Sequence, residues 1–166
     1  MTDEKQLILG EFSRKLDDRF RLSLPSEFVD LFPVKSDWVI VKERPGCVSL
    51  WEQKTWQENL DDHIVLIQKH LKHGHLSQKM SELQIFGRLL STRHRPLQMA
   101  GRGRLVLPEG FREFLGVEAG KEVMIIGAAT CIEIWHPQKW IQYVERRIPR
   151  YQKLLDKLIL NELSRK

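Results

Sequence analysis

The stretch "RFRLSLP" (residues 19–25) returns as "RGRLVLP" (residues 102–108), keeping two arginines one residue apart, an apolar alternation and a closing proline. The match extends outward at one constant offset: Arg19, Arg21, Leu22, Leu24, Pro25 and Phe28 fall on Arg102, Arg104, Leu105, Leu107, Pro108 and Phe111. After a one-residue insertion, "CVSLW" (residues 47–51) and Trp56 fall on "CIEIW" (residues 131–135) and Trp140. The chain holds only five Trp and two Cys, so their matched positions mark an internal duplication.

Each copy reads alike. Leu22–Leu24 and Leu105–Leu107 alternate as short strands, and the following proline suits a strand end or a first helical turn. A short helix is expected next. In "PEGFREFLGV" Phe111, Phe114 and Leu115 share a face and Gly116 supplies a C-terminal cap, whereas "PSEFVDLFPV" stops at Pro33. Two strands follow in each copy, "WVIV" with "CVSLW" and "EVMII" with "CIEIW", joined at Pro45-Gly46 or Gly127-Ala128. Each half is thus expected to be a β-α-β-β unit with little area to bury alone. Two such units packed together would complete one small barrel, an α+β fold.

Helices are expected around these halves. Trp56, Leu60, Ile64, Ile67 and Leu71 form an amphipathic stripe, and Leu76, Met80, Leu83 and Leu90 suggest a second helix after Gly74. A third should begin near Gln138, with Trp140, Val144 and Ile148 on one face, and bend or stop at Pro149. The tail is amphipathic again through Leu154, Leu155, Leu158 and Ile159. The chain therefore divides into a first half (7–55), a helical connection (56–92), a second half (93–138) and a C-terminal helical segment (139–166).

At 166 residues and 42% apolar composition, a buried core is expected. Lys and Arg number 27 against 22 Asp and Glu, a net charge of +5, which leans toward a polyanionic partner. Cys47 and Cys131 lie inside apolar runs and read as core residues of a reducing compartment. No run is long enough for a membrane span, and the N-terminus is acidic where a secretory signal would be basic, so a cytoplasmic location is expected.

The paired arginines are the leading candidates for chemistry. "RKLDDRFR" supplies Arg14, Lys15, Arg19 and Arg21 at the entrance to a strand, where side chains at i and i+2 share a side. The second copy lies in an acid-free stretch (residues 83–108) holding Arg88, Arg93, Arg95, Arg102 and Arg104. An Arg fork holds a phosphate or the O6/N7 edge of guanine with two hydrogen bonds, and a β-ribbon carrying arginines fits the major groove. The bland alternative is solvated or carboxylate-paired arginines. Asp17 would orient Arg21, cap the turn, or accept from a cytosine amino group.

Other motifs carry less. His63, His70, His73 and His75 invite a metal reading, but no Cys and no Glu-x-x-His pattern completes a site, so neither metal nor cofactor is implied. Trp51, Trp56, Trp135 and Trp140 could stack on bases, yet their matched positions favour core packing. Neither a glycine-rich phosphate loop nor a nucleophile elbow occurs, and Gly101-Arg102-Gly103 reads as a tight turn; enzymatic activity and a small-molecule substrate are not expected.

Two copies of an Asp-x-x-x-Arg-Leu-x-x-Pro element, each followed by a short helix and a hairpin, resemble the MraZ family, whose chains carry two AbrB/SpoVT-type swapped-hairpin halves. Asp17, Arg21, Leu22 and Pro25 match the first element; Gln98-Met99, Gly103, Arg104, Leu105, Leu107 and Pro108 match the second. "GEF", "EVMIIG" and "IEIW" extend the likeness over most of the chain. The resemblance implies a pseudo-two-fold swapped-hairpin barrel. It also implies a nucleoid-associated regulator that binds double-stranded DNA at short repeated operator boxes ahead of division and cell-wall genes, assembled into rings. Two positions depart from the pattern: Ala100 stands where the second Asp would be, and Phe20 where the first copy usually has Gly. Arg14, Lys15, Asp17, Arg19, Arg21, Arg102 and Arg104 are the expected DNA-facing residues. The rival reading is a ring-forming protein-interaction module with at most non-specific DNA affinity.

Overall fold

The duplicated apolar stretches form strands that pair across the two copies. A computed structural model describes residues 6–73 and 76–165. The first copy contributes β1 (Ile8–Lys15), β2 (Arg21–Ser23), α1 (Ser26–Val29), β3 (Trp38–Arg44) and β4 (Cys47–Glu52), followed by α2 (Gln53–Leu71) and α3 (Leu76–Thr92). The second contributes β5 (His94–Leu97), β6 (Arg104–Val106), α4 (Phe111–Leu115), β7 (Glu122–Ala129), β8 (Ile132–Trp135) and α5 (Pro137–Leu163).

The fold is α+β with antiparallel sheets. Six strands run in the order β1-β7-β8-β4-β3-β5, and β2 pairs β6 in a separate ribbon. The first strand of each half joins the other half's hairpin, β1 on β7 and β5 on β3. Both contacts at the centre are between equivalent residues of the repeat: Ser49 faces Glu133 where β4 meets β8, and Leu22 faces Leu105 in the ribbon. The larger sheet is open, with β1 and β5 as its edges, so these hydrogen-bonded strands form no closed barrel.

One face of that sheet and the ribbon share the main core. Leu22, Leu105, Phe28 and Phe111 pack there against Ile40, Val48, Leu50, Ile125 and Ile134, all nearly inaccessible. By strand alternation Cys47, Ile126 and Trp135 face the other way and meet Trp140 and Tyr143 of α5. Trp56 of α2 caps Val39 and Val41 in the same manner. The indoles of Trp51 and Trp135 each donate to the residue two before them, Ser49 Oγ at 2.8 Å and Glu133 Oε2 at 2.7 Å. Those tryptophans serve packing in both halves. Cys47 and Cys131 are free and buried, and burial raises both thiols well above their usual range.

Several expectations need correction. Each half begins with a strand, β1 or β5, that the β-α-β-β reading omitted. Helix α5 runs unbroken through Pro149 rather than stopping there. An internal proline removes one hydrogen bond at a cost of about 3 kcal/mol, but α5 is exposed beyond Tyr143 and Val144, where water can satisfy the freed carbonyl. Helix α1 ends at Val29, ahead of Pro33, whereas α4 ends on left-handed Gly116 as expected. The stripe of Trp56, Leu60, Ile64, Ile67 and Leu71 does form the covered side of α2. On α3, Leu90 turns inward as expected, but Met80 and Leu83 are exposed and Lys79 and Phe86 turn inward instead, with Lys79 Nζ donating to the Leu71 carbonyl at 2.6 Å. Gly74 lies outside the described residues. No described helix is long and apolar enough to cross a membrane.

Gly87 gives a direct test of the α3 assignment. It is exposed in mid-helix and a Cβ built on it meets nothing within 4 Å. Gly87→Ala should stabilise the protein by about 1 kcal/mol in urea denaturation, the difference in helix propensity alone. A loss of stability would show that this segment is not helical in solution.

Candidate nucleic-acid interface

The ribbon is only three residues per strand, and its alternation decides what faces out. Leu22 and Leu105 point into the core as direct partners, leaving Arg21, Ser23, Arg104 and Val106 exposed. Arg21 lies opposite Val106 and Arg104 opposite Ser23, so the two arginines sit diagonally on one outward face.

Each strand follows a tight turn of the same form. Asp17 N–H donates to the Arg21 carbonyl at 3.1 Å, and Ala100 N–H donates to the Arg104 carbonyl at 2.7 Å. Phe20 and Gly103, equivalent in the repeat, are both left-handed, with φ of 57° and 74°. Their carbonyls accept from Leu107 at 2.9 Å and Leu24 at 2.8 Å, which extends the ribbon at both ends. The alternation argument for Arg19 with Arg21 therefore fails, whereas Gly101-Arg102-Gly103 forms the tight turn expected of it. A left-handed residue stands inside each pair and places Arg19 and Arg102 in turns at opposite ends of the ribbon.

The two turns differ in how they hold their arginine. Asp17 Oδ1 accepts the backbone N–H groups of Arg19 and Arg21, each at 2.8 Å, and Oδ2 accepts from Arg21 Nε at 2.5 Å. The Arg21 backbone N–H chiefly, then its guanidinium and the Arg19 N–H, lower the Asp17 pKa below 3.8 against a smaller opposing effect of desolvation. Ala100 offers no such acceptor. Arg104 has no carboxylate partner among the described residues, and its Nη2 lies 3.2 Å from where a Gly101 Cβ would stand.

The sign of the Asp17 effect fixes a prediction. Its folded pKa lies below the unfolded value, so the turn is fully held above the ordinary carboxylate range and loosens as pH falls through the lowered value. The amide signals of Arg19 and Arg21 should therefore titrate together with a midpoint below 3.8 in NMR, and Asp17→Asn should abolish that titration. Amide signals that titrate at or above the ordinary value would contradict the cap.

The remaining candidates are spread out. Arg14 and Lys15 end β1 in the larger sheet; Arg14 donates to the Ser13 carbonyl at 2.8 Å and Lys15 is exposed. Arg102 comes within 3.8 Å of Asp30, an exposed pair of little energetic weight. The acid-free stretch forms no single surface. Arg93 pairs with Glu43 at 3.0 Å and Arg95 lies over Phe111, while Arg88 is exposed on α3.

One neighbour of the ribbon escaped the sequence reading. Arg112 donates from Nε to the Leu107 carbonyl at 3.2 Å and lies 4.3 Å over the Phe20 ring. Its repeat equivalent is Val29, whose Cγ2 would collide with a Cβ at Gly103. A large pair, Phe20 with Arg112, thus replaces a small one, Gly103 with Val29. That simultaneous exchange was the signal available in the sequence. The ring contacts offset a left-handed strain of about 1 kcal/mol at Phe20.

His70 Nε2 meets Glu82 Oε2 at 2.8 Å, and among the described residues no three metal-ligating groups assemble; His75 lies outside them.

Comparison with known proteins points to one family. The family model "MraZ protein, putative antitoxin-like" matches residues 96–158. A protein of Syntrophomonas wolfei named "Transcriptional regulator MraZ" is 30% identical over 153 residues, covering 92% of this chain and 97% of the relative. Proteins of the same name from Moorella thermoacetica and Thermomicrobium roseum are 26% and 25% identical, covering 92% and 84% of this chain and 97% and 88% of their own length. Near-complete coverage at this identity places the duplicated chain as a member of the MraZ family.

Proposed function

We propose that this protein is a DNA-binding transcriptional regulator, without catalytic activity, that reads short repeated operator boxes ahead of division and cell-wall genes. The observation that carries the reading is the pair Arg21 and Arg104, set diagonally on the outward face of a two-stranded ribbon. A ribbon of that width enters the major groove, where each guanidinium can take a guanine edge or a phosphate with two hydrogen bonds. The relatives' name, "Transcriptional regulator MraZ", points the same way.

In this reading residues 7–55 and 93–138 are two swapped-hairpin halves of one barrel-like DNA-binding body. Residues 56–92 connect them and residues 139–166 serve assembly. Arg19 and Arg102 reach the backbone at the two ends, with Arg14 and Lys15 assisting beside the first turn. Asp17 holds Arg21. Self-association into a ring at the nucleoid is supported by the apolar side of α5, where Ile148, Tyr151, Leu154, Leu158 and Ile159 are all about half exposed or more. Several subunits on repeated boxes then gain affinity through effective concentration.

The test is a gel-shift titration on the upstream DNA of the protein's own gene. Arg21→Ala with Arg104→Ala should abolish the specific shift, and wild-type affinity in that variant would overturn the assignment. The exposed apolar side of α5 also suits the rival reading, a protein-interaction module. Equal affinity for random and upstream DNA at moderate salt would favour it.

A further inference from the structure

We propose that the cleft between the β3–β4 turn and the first turns of α5 binds a phosphate group, at a site separate from the ribbon. The cleft has a volume of about 480 Å³ and is lined by Arg44, Lys139, Arg146 and Arg147 beside Tyr143, with no carboxylate in its lining. It lies on the face of the six-stranded sheet that packs Trp135, Trp140 and Tyr143, opposite the face that shares a core with the ribbon.

Packing sets Arg44, Arg147 and Lys139 in place, and Arg146 stands exposed beside them. Arg44 Cζ lies 4.7 Å from the centre of the Tyr143 ring and 5.8 Å from that of Trp135, and Arg147 Cζ lies 5.3 Å from Tyr143. Ring faces hold the guanidinium planes and leave their N–H edges available. Lys139 lies on bare backbone: a Cβ on Gly46 would meet its Cγ at 2.6 Å, and the His136 N–H donates to the Gly46 carbonyl at 2.8 Å. Among the described residues none of the four cations has a salt-bridge partner. The nearby carboxylate of Glu133 accepts from the Trp135 indole instead.

The internal repeat supplies a control for the demands of packing. Positions equivalent to Arg44, Lys139, Tyr143, Arg146 and Arg147 in the other half are Ala128, Thr55, Asn59, Asp62 and His63. Trp51 and Trp56 pack there as Trp135 and Trp140 do here, with ring centres 5.8 Å and 5.3 Å apart. The fold is thus completed without a cationic cluster in one half. Holding four like charges together costs energy that a bound anion offsets, and phosphate matches the paired guanidinium edges.

Phosphate could come from a DNA backbone or from a free phosphate compound, and calorimetry with tripolyphosphate at moderate salt separates the cases. Arg44→Gln with Arg147→Gln should weaken tripolyphosphate binding by about tenfold or more. Lys139→Gln with Arg146→Gln should reproduce the loss, which guards against a folding defect in the first variant. If a random-sequence duplex displaces tripolyphosphate, and the first variant lowers the salt slope of duplex binding by about 2, the source is a DNA backbone. Loss of tripolyphosphate binding with an unchanged duplex slope assigns a free phosphate compound. Wild-type protein that fails to bind tripolyphosphate, or variants that bind it as wild type does, overturns the site. Neither outcome bears on the ribbon, whose own test uses Arg21 and Arg104.

Discussion

Gly127→Val should destabilise the protein by about 3 kcal/mol or more, lowering the midpoint of thermal unfolding by roughly 6–12 °C for a domain of this size. Gly127 sits in β7 directly opposite Gly10 of β1. A Cβ there would lie 2.6 Å from the Ile8 carbonyl oxygen, 2.7 Å from its carbon and 2.8 Å from Leu9 Cα. All three are backbone atoms of the facing strand, so no side-chain rotation relieves the clash. Either β1 moves away and gives up its ladder, or β7 bends and disturbs Ile125 and Ile126 in the two cores beneath it. Because β1 is the strand that the first half lends to the second, the lost pairing also loosens the union of the halves. A thermal midpoint within about 2 °C of wild type would mean that β1 does not pack on Gly127 in solution.

That strand also shows where sequence reading stops. The duplicated stretches around β2, β6 and the two hairpins were legible because each buries most of its apolar side chains locally. Strand β1 buries Ile8 and leaves Leu9, Gly10 and Glu11 exposed, so its alternation is faint. Strand β5 is four residues with Pro96 inside, acceptable because it lies at a sheet edge. Both strands are specified by partners far away in the chain, β7 and β3, and local periodicity carries no trace of that. The site was legible by residue type but not by geometry. Gly103 advertises a left-handed turn and the sequence reads as one there, whereas Phe20 conceals the same turn behind an aromatic side chain, so Arg19 and Arg21 read as one continuous strand.

The two halves of the ribbon should contribute unequally to DNA binding. Arg21 is clamped by the Asp17 carboxylate, which accepts its backbone N–H and its Nε–H as well as the Arg19 N–H, and this fixes its direction before DNA arrives. One N–H of its five donors is spent on Asp17, and the rest remain for a base edge. Arg104 is unclamped and must lose side-chain freedom on binding, which suits a phosphate contact of looser geometry. Arg21→Ala should thus cost about 1–3 kcal/mol on the upstream DNA and much less on random duplex, narrowing the specificity ratio. Arg104→Ala should weaken both duplexes alike and reduce the salt slope by about 1. Asp17→Asn keeps the Arg21 charge but frees its direction, so it should resemble Arg21→Ala in specificity while leaving binding to random duplex intact. If the two alanine variants lose specific and random binding in the same proportion, the asymmetry of the turns has no part in recognition. Restoring a carboxylate at the second turn, Ala100→Asp, then offers the reciprocal measurement. A clamped Arg104 should gain discrimination between the duplexes and bind random duplex no more tightly than before.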